Sequence, residues 1–245
     1  MLVDVKKIPE LNTLTMGSDG LTIGAAVPLY KIYEDKRIAT AYPDLVDAIM
    51  NIGGVAIQSR ATVGGNLCNA APSGDSIPSL IVHKATCRVA GSGGQHDVPL
   101  EEFFVEPGRT VLNRGELLVS VQVPLPEERM GASYMKFIPR SDMDIAVVGV
   151  GASLVLNEGF SRIETARLAL GAVASTPILV RKIGDVLSGR KPDEESWSEA
   201  ASIAQAASRP ISDVRGSAEL RRHLVGVFAR RTLRNALARA KGGAI

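Results

Sequence analysis

Ala61-Thr62-Val63-Gly64-Gly65-Asn66 is the stretch on which the reading of this chain turns. It lies inside a longer run, Gly53 to Asp75, rich in Gly, Asn, Ala and Ser and with little helical or strand periodicity. A structureless segment longer than about 15 residues is uncommon in a compact domain unless it is functional. Adjacent glycines open backbone conformations closed to other residues. Their N–H groups can then converge on an anion. Thr62 adds a hydroxyl at one end and Asn66 an amide at the other. That is a design for a pyrophosphate held by backbone donors, with no lysine required. Nine residues after Asn66 stands Asp75, within Pro72-Ser73-Gly74-Asp75. A carboxylate there can accept hydrogen bonds from sugar-like hydroxyls. A tight surface turn is the other reading of a lone Thr-x-Gly-Gly-Asn. No Gly-Lys-Ser/Thr follows, so a Walker loop is excluded. Gly149-x-Gly151 lacks the third glycine of a dinucleotide fingerprint and falls inside a strand-like run.

The 245 residues allow one or two domains. Hydrophobic residues at 45% and charged residues at 22% are a globular balance and argue against disorder. Aromatics are 4%, so Val, Ile, Leu and Ala must make the core. A net charge of +2 excludes a strong single-signed field as the main mode of action. Cys68 and Cys87 are too few for a metal site or an iron–sulfur cluster within the chain. They are also too few for a disulfide scaffold. His83, His96 and His223 are scattered and read as structural or solvated. No acid–base pair stands out, so no catalytic residue and no metal ligand is assigned. The opening MLVDVKKIPEL is not an apolar signal segment. The longest apolar run, Ile145 to Leu156, has 12 residues, against about 20 for a membrane-crossing helix. A soluble, reduced, cytoplasmic protein is expected.

Met1 to Val5 reads as a strand, and Leu21 to Val27 as a second. Pro28 to Met50 has helical spacing, split at Tyr42-Pro43 because the residue before proline avoids the helical region. Ile77 to His83 reads as a short helix. Thr86 to Ala90 and Leu117 to Val123 read as strands, with a glycine-rich turn at Gly91 to Gln95. A connector at Pro124 to Gly131 opens a second organisation. Ser133–Ile138, Ala146–Leu156 and Ile163–Val173 predict an antiparallel meander, turned at Asn157-Glu158-Gly159. Helical stretches follow at Ile178–Leu187, Glu194–Ala207 and Ser217–Ala240. Strands followed by helices predict an α+β layer. From Arg209 to Lys241, nine Lys or Arg face Asp213 and Glu219, about +7 locally. That charge suits an acidic partner, or a solvated face turned to another subunit. Aromatics are too sparse for stacking on bases, so nucleic acid is not expected.

Several spaced motifs carry a more specific reading. They are Gly53-Gly54, Ala61 to Asn66, Pro72 to Asp75, Glu116-Leu117-Leu118, Lys136-Phe137, Arg140, Asp144-Ile145-Ala146, Gly171-Ala172-Val173-Ala174 and Asp213-Val214-Arg215-Gly216-Ser217-Ala218-Glu219. In order and spacing they resemble the FAD-binding (medium) subunit of the molybdenum hydroxylases, the family of aerobic carbon monoxide dehydrogenase and the bacterial xanthine dehydrogenases. The resemblance covers essentially the whole chain. It implies an α+β fold in two parts. Residues 1–128 would be a FAD-binding domain of the vanillyl-alcohol-oxidase (PCMH) type. Residues 129–245 would be a CO dehydrogenase flavoprotein C-terminal type domain, a three-stranded antiparallel sheet plus helices. It implies FAD as cofactor. By match to the family, Thr62, Val63, Gly64, Gly65 and Asn66 would hold the pyrophosphate. Asp75 would bind ribityl or ribose hydroxyls. Ile52 and Leu118 would pack near the flavin or adenine rings. Lys136 would sit near the isoalloxazine, where a cation stabilises the anionic reduced flavin. Plain core remains the other reading of Leu118, and a strand-surface lysine that of Lys136. Asp144 would join that region or only pair with Arg140.

The same resemblance implies an oxidoreductase subunit that relays electrons. A molybdenum cofactor in a large subunit would oxidise the substrate. Two [2Fe–2S] clusters in a small subunit would pass the electrons to FAD, and FAD to an external acceptor such as NAD, a quinone or oxygen. The assembly would be a dimer of heterotrimers. The cofactor does the redox chemistry and the protein supplies binding and orientation. An assembly subunit with a defunct flavin site, and a stand-alone FAD oxidoreductase of the same superfamily, are the alternatives. The family's flavin domain opens with a strand and a first glycine loop, of the Ala-Gly-Gly type, which forms the other half of the pyrophosphate cradle. Met1-Leu2-Val3-Asp4-Val5 matches the strand after that loop, so the flavin part is expected to be incomplete at its N-terminus. A start codon assigned too far downstream is the favoured explanation. Supply of the loop by another chain, or a truncated chain that binds FAD poorly, are the others.

Overall fold

Gly24 lets the chain turn off the end of its strand. A Cβ there would lie 2.3 Å from the Leu11 carbonyl oxygen, so the segment packs backbone against backbone. The computed structural model describes residues 3–140 and 143–243. β1 (Leu14–Gly17) and β2 (Gly20–Gly24) form a hairpin, followed by α1 (Leu29–Glu34), α2 (Lys36–Ala41) and α3 (Pro43–Met50). Pro43 opens α3, as the split at Tyr42-Pro43 predicts. The glycine-rich run holds two short helices, α4 (Val55–Gln58) and α5 (Val63–Cys68), and leads into α6 (Ser76–Val82). Then come β3 (Thr86–Gly91), β4 (Gly94–Pro99), a small pair β5 (Phe104–Glu106) and β6 (Arg109–Thr110), and β7 (Leu117–Val123). The first sheet is antiparallel in the order β1-β2-β7-β3-β4.

The second part has β8 (Met130–Phe137), β9 (Val148–Leu156), β10 (Ile163–Gly171) and β11 (Ile178–Leu179), then α7 (Lys182–Leu187), α8 (Glu194–Ala207) and α9 (Ala218–Ala240). Its sheet runs β11-β10-β9-β8. The three strands of the expected meander are present. A two-residue fourth joins their edge, where a helix was predicted to begin at Ile178. The Asn157 turn is closed by its own side chain, which accepts the Ser161 and Arg162 N–H groups at 2.9 Å each. A strand was expected at Met1 to Val5. Met1 and Leu2 lie outside the described residues. Val3 to Val5 form no strand: Val3 is 71% exposed and has no ladder to join.

Each sheet has its own apolar cluster. Leu21, Ile23, Leu45, Leu67 and Val121 belong to the first. Val150, Leu154, Leu168, Trp197 and Leu233 belong to the second. Between them runs α6, buried at all seven positions. A helix apolar all round belongs in an interior. Gly151 lets it approach the second sheet, since a Cβ there would lie 2.7 Å from the Pro78 backbone. That packing explains Gly149-x-Gly151 without a dinucleotide. The carbonyls at the end of α6 are met from the second sheet: Ser153 donates to Val82 at 3.2 Å and Arg167 to Ile81 at 3.0 Å.

At the same end, Asp44 of α3 is fully buried. Ser79 donates to its Oδ2 at 2.5 Å, and His83 Nε2 lies 2.8 Å from its Oδ1. Burial would push the Asp44 carboxyl up, but His83 and Ser79 prevail and hold it below the usual range. His83 is therefore structural, as the sequence reading expects. Leaving a buried carboxylate without one of its partners costs about 3–5 kcal/mol. His83→Ala is expected to lower the unfolding free energy by about 3–5 kcal/mol, read as a lower urea midpoint at unchanged slope. A loss under about 1 kcal/mol would show that Asp44 keeps its charge satisfied without His83.

Candidate functional site

Thr62 is the N-cap of α5, and its Oγ1 accepts the Gly65 N–H at 2.8 Å. This is the bond a Thr cap ordinarily makes. The residue before it is pinned to the start of α1: Leu29 N–H donates to the Ala61 carbonyl at 2.9 Å. A Cβ on Gly64 would lie 2.5 Å from the Ala25 carbonyl oxygen and 2.6 Å from its Cα. No side chain fits there. A Cβ on Gly65 would meet only the Thr62 hydroxyl, at 3.1 Å. Gly64 is thus glycine for packing, and Gly65 stands open on its outer side. Among the described residues the Gly64 N–H has no acceptor, while that of Gly65 serves the cap. The first turn of α5 therefore offers a single free donor of this pair.

Thr62, Gly64, Gly65, Ala25, Ala26 and Leu118 border a largely apolar cavity of about 340 Å³. Leu118 is buried on β7 and so is both core and cavity wall. Val63 does not border the cavity, and its side chain is in the first core.

The other candidates gather in a second, polar cluster. Lys136 Nζ donates to the Asn51 carbonyl at 2.9 Å, to Asp75 Oδ2 at 3.1 Å and to the Asp144 carbonyl at 3.3 Å. Its side chain is 4% exposed. The lysine is no strand-surface residue, and all three ammonium protons have acceptors within the chain. Asp75 is also buried, and its second oxygen accepts Tyr134 Oη at 2.7 Å. Burial pushes the Asp75 carboxyl up, and the Lys136 charge beside it pulls down without reversing the shift. Burial likewise raises the Tyr134 phenol. Asp144 reaches two neighbours. Its carbonyl joins Lys136, and its carboxylate pairs with Arg140 at 3.0 Å and is lowered by it. Ile52 follows Asn51 and packs, half-buried, on the first core. It does not border the cavity.

Asn66 joins the two clusters. Its Oδ1 accepts Ser76 Oγ at 2.7 Å, next to Asp75. The residues missing from the sequence reading are Tyr134 and Ala25. Tyr134 was open to inference, since it stands two before Lys136 on a strand and must share its face. Ala25 was not, because only tertiary packing brings it under Gly64.

Known proteins match the chain throughout. Residues 1–126 match the family described as "FAD binding domain in molybdopterin dehydrogenase", and 133–236 the "CO dehydrogenase flavoprotein C-terminal domain". The xanthine dehydrogenase FAD-binding subunit of Escherichia coli O157:H7 is 31% identical over 244 residues, 98% of this chain and 82% of that protein. The carbon monoxide dehydrogenase medium chain of Afipia carboxidovorans is 29% identical over 240 residues, 98% of this chain and 82% of that one. Among solved structures, reconstituted CO dehydrogenase from Oligotropha carboxidovorans superposes with a TM-score of 0.91 at 28% identity, covering 96% of this chain and 82% of its own. Quinoline 2-oxidoreductase from Pseudomonas putida 86 gives 0.88 at 29% identity, covering 97% and 81%.

The two glycines separate by substitution. Gly64→Ala drives a methyl into the Ala25 backbone, an overpacking that costs about 1–3 kcal/mol. At about 2–4 °C per kcal/mol for a chain of this size, its thermal midpoint is expected to fall by several degrees. Gly65→Ala is expected to leave the midpoint within about 2 °C of wild type. Equal falls in both would mean that the turn is packed on both sides and has no open face.

Proposed function

This chain belongs to the FAD-binding medium subunits of the molybdenum hydroxylases, and from that premise we propose that it is the electron-relay subunit of such an enzyme. FAD is its cofactor and oxidoreduction its chemistry. Relatives that are medium chains work in complexes of several subunits. Bound FAD would take electrons from the [2Fe–2S] clusters of a small partner subunit and give them to an external acceptor. A large subunit with a molybdenum cofactor would oxidise the substrate, in a dimer of heterotrimers in the cytoplasm. Among the described residues no helix is long and apolar enough to cross a membrane. We place the flavin part at 1–128 and the remainder at 129–245.

The observation that carries this reading is the pairing of the two clusters across Asn66. The donor set suits FAD. The Gly64 N–H, at the positive end of α5, has no acceptor among the described residues, and Gly64 borders the apolar cavity. An anion there gains a backbone donor, and Thr62 to Asn66 would take the pyrophosphate. Leu118 would give a ring an apolar wall, and Ile52 would pack beside the second cluster. Asp75 would accept hydrogen bonds from FAD hydroxyls with its remaining lone pairs. Lys136 would act through its field, since its donors are engaged within the chain. A buried cation near the flavin favours its reduced, anionic form without touching it.

Two measurements test this. The purified chain is expected to carry FAD in near-stoichiometric amount, counted by absorbance of the released flavin against protein. Lys136→Met keeps most of the stem and removes the charge. It is expected to make the flavin midpoint potential more negative while FAD content stays near that of wild type. Outright loss of FAD would make Lys136 necessary for binding, directly or through the Asp75 carboxylate it pairs with, and an unchanged potential would remove it from the flavin's surroundings.

A further inference from the structure

Asp75 stands at the N-cap position of α6, yet its carboxylate makes no capping bond. An aspartate there ordinarily accepts an N–H from the first turn. The side chain turns to β8 instead, where Tyr134 and Lys136 each take one oxygen. Tyr134 is 4% exposed. Gly149 makes room for its phenol, since a Cβ there would lie 3.0 Å from Oη. Lys136 divides its ammonium among three acceptors on three segments, so it cannot alone fix how the carboxylate is turned. The tyrosine hydroxyl donates to Asp75 and to nothing else among the described residues.

We propose that Tyr134 is a positioning residue for FAD binding: its hydroxyl holds the Asp75 carboxylate away from its own helix end and turned to the cofactor's hydroxyls. This rests on the reading of Asp75 given above. The charged groups around the carboxylate are few. Lys136 and Tyr134 come from β8, and Asp144 with Arg140 lies beyond Lys136. From the α3 side, Asp47 is paired with Arg239. Burial disfavours the ionised carboxylate, and loss of the phenol donor moves its protonation to higher pH. A protonated Asp75 has less acceptor capacity, so binding weakens further as pH falls.

Tyr134→Phe keeps the ring beside Gly149 and removes one oxygen. FAD is titrated into the flavin-free chain, with quenching of flavin fluorescence as the signal, over a series of pH values. Wild type, Tyr134→Phe, Asp75→Asn and the double variant are compared. Tyr134→Phe is expected to weaken FAD binding by about tenfold, the worth of one hydrogen bond to a charged group. The weakening is expected to grow toward acid pH. In the Asp75→Asn background the same substitution is expected to change nothing. Wild-type affinity in Tyr134→Phe, or an equal loss in both backgrounds, overturns the positioning role while leaving the Asp75 reading in place. Wild-type affinity in Asp75→Asn overturns the Asp75 reading and the proposal together. A lower thermal midpoint in Tyr134→Phe with unchanged FAD affinity makes the phenol structural only.

Discussion

A helix buried on every side has no water to satisfy its ends. That constraint on α6 organises this molecule. Its last carbonyls must find protein donors, and they find Ser153 and Arg167 on the second sheet. Arg167 is in turn held by Glu101, from the turn after β4, which also takes Arg181. The C-cap residue His83 and the helical Ser79 meet the buried Asp44. The residues at the other end, Asp75 and Ser76, reach β8 and α5. The apolar middle of the helix joins two cores, but it would pack almost as well if turned. The polar ends admit one rotation and one depth. Unpaired buried groups cost more than paired ones gain, so the ends specify the arrangement even where they add little net stability.

The site inherits this. Its apolar half hangs from α5 and β7, in the first core, and its polar half straddles α6 and β8. The relation between the halves is fixed by whatever fixes α6. A cofactor long enough to touch both would read the seating of the second sheet against the first. Packing changes near Pro78, Gly151 or Gly171 should therefore be felt at Lys136 without any direct contact, because β9 carries Gly149 and Gly151 on the strand paired with Tyr134 and Lys136.

Much of this was legible along the chain, for physical reasons that differ by element. The meander of β8 to β10 is long, apolar and turned at an asparagine that closes its own loop. Pro43 announces α3. Strand β4 is Gly-Gln-His-Asp-Val-Pro and mostly exposed, so it has no apolar alternation to detect, and only its pairing with β3 makes it a strand. The short helices α4 and α5 lie in a run that reads as loop, because Gly64 and Gly65 are poor helix formers tolerated for the sake of Ala25 and an open face. Thr62 to Asn66 could be found as a motif, whereas the reason for Gly64 is three-dimensional. Asp75 and Lys136 were each visible as charged residues in suggestive places. That each is the other's partner, 61 positions apart, is set by how β8 packs against α6.

The basic C-terminal stretch shows the same distinction from the opposite side. Read along the sequence, it is a field of about +7. In the fold, four of those nine cations answer local needs. Arg209 donates to the Ala206 and Ser208 carbonyls at the end of α8. Arg221 is buried, clasping the Val147 and Ala172 carbonyls and Asp213. Arg234 pairs with Glu194, and Arg239 with Asp47 and the Ala132 carbonyl. Gly131 brings β8 against the Ala236–Ala240 end of α9, so one face of that helix is core. A guanidinium that already has its acceptors cannot be recruited by a polyanion without breaking the packing that placed it. Arg221, Arg234 and Arg239 therefore bind α9 to α3, α8 and the second sheet, and Asp47 with Arg239 closes on α3 beside Asn51, whose carbonyl Lys136 holds.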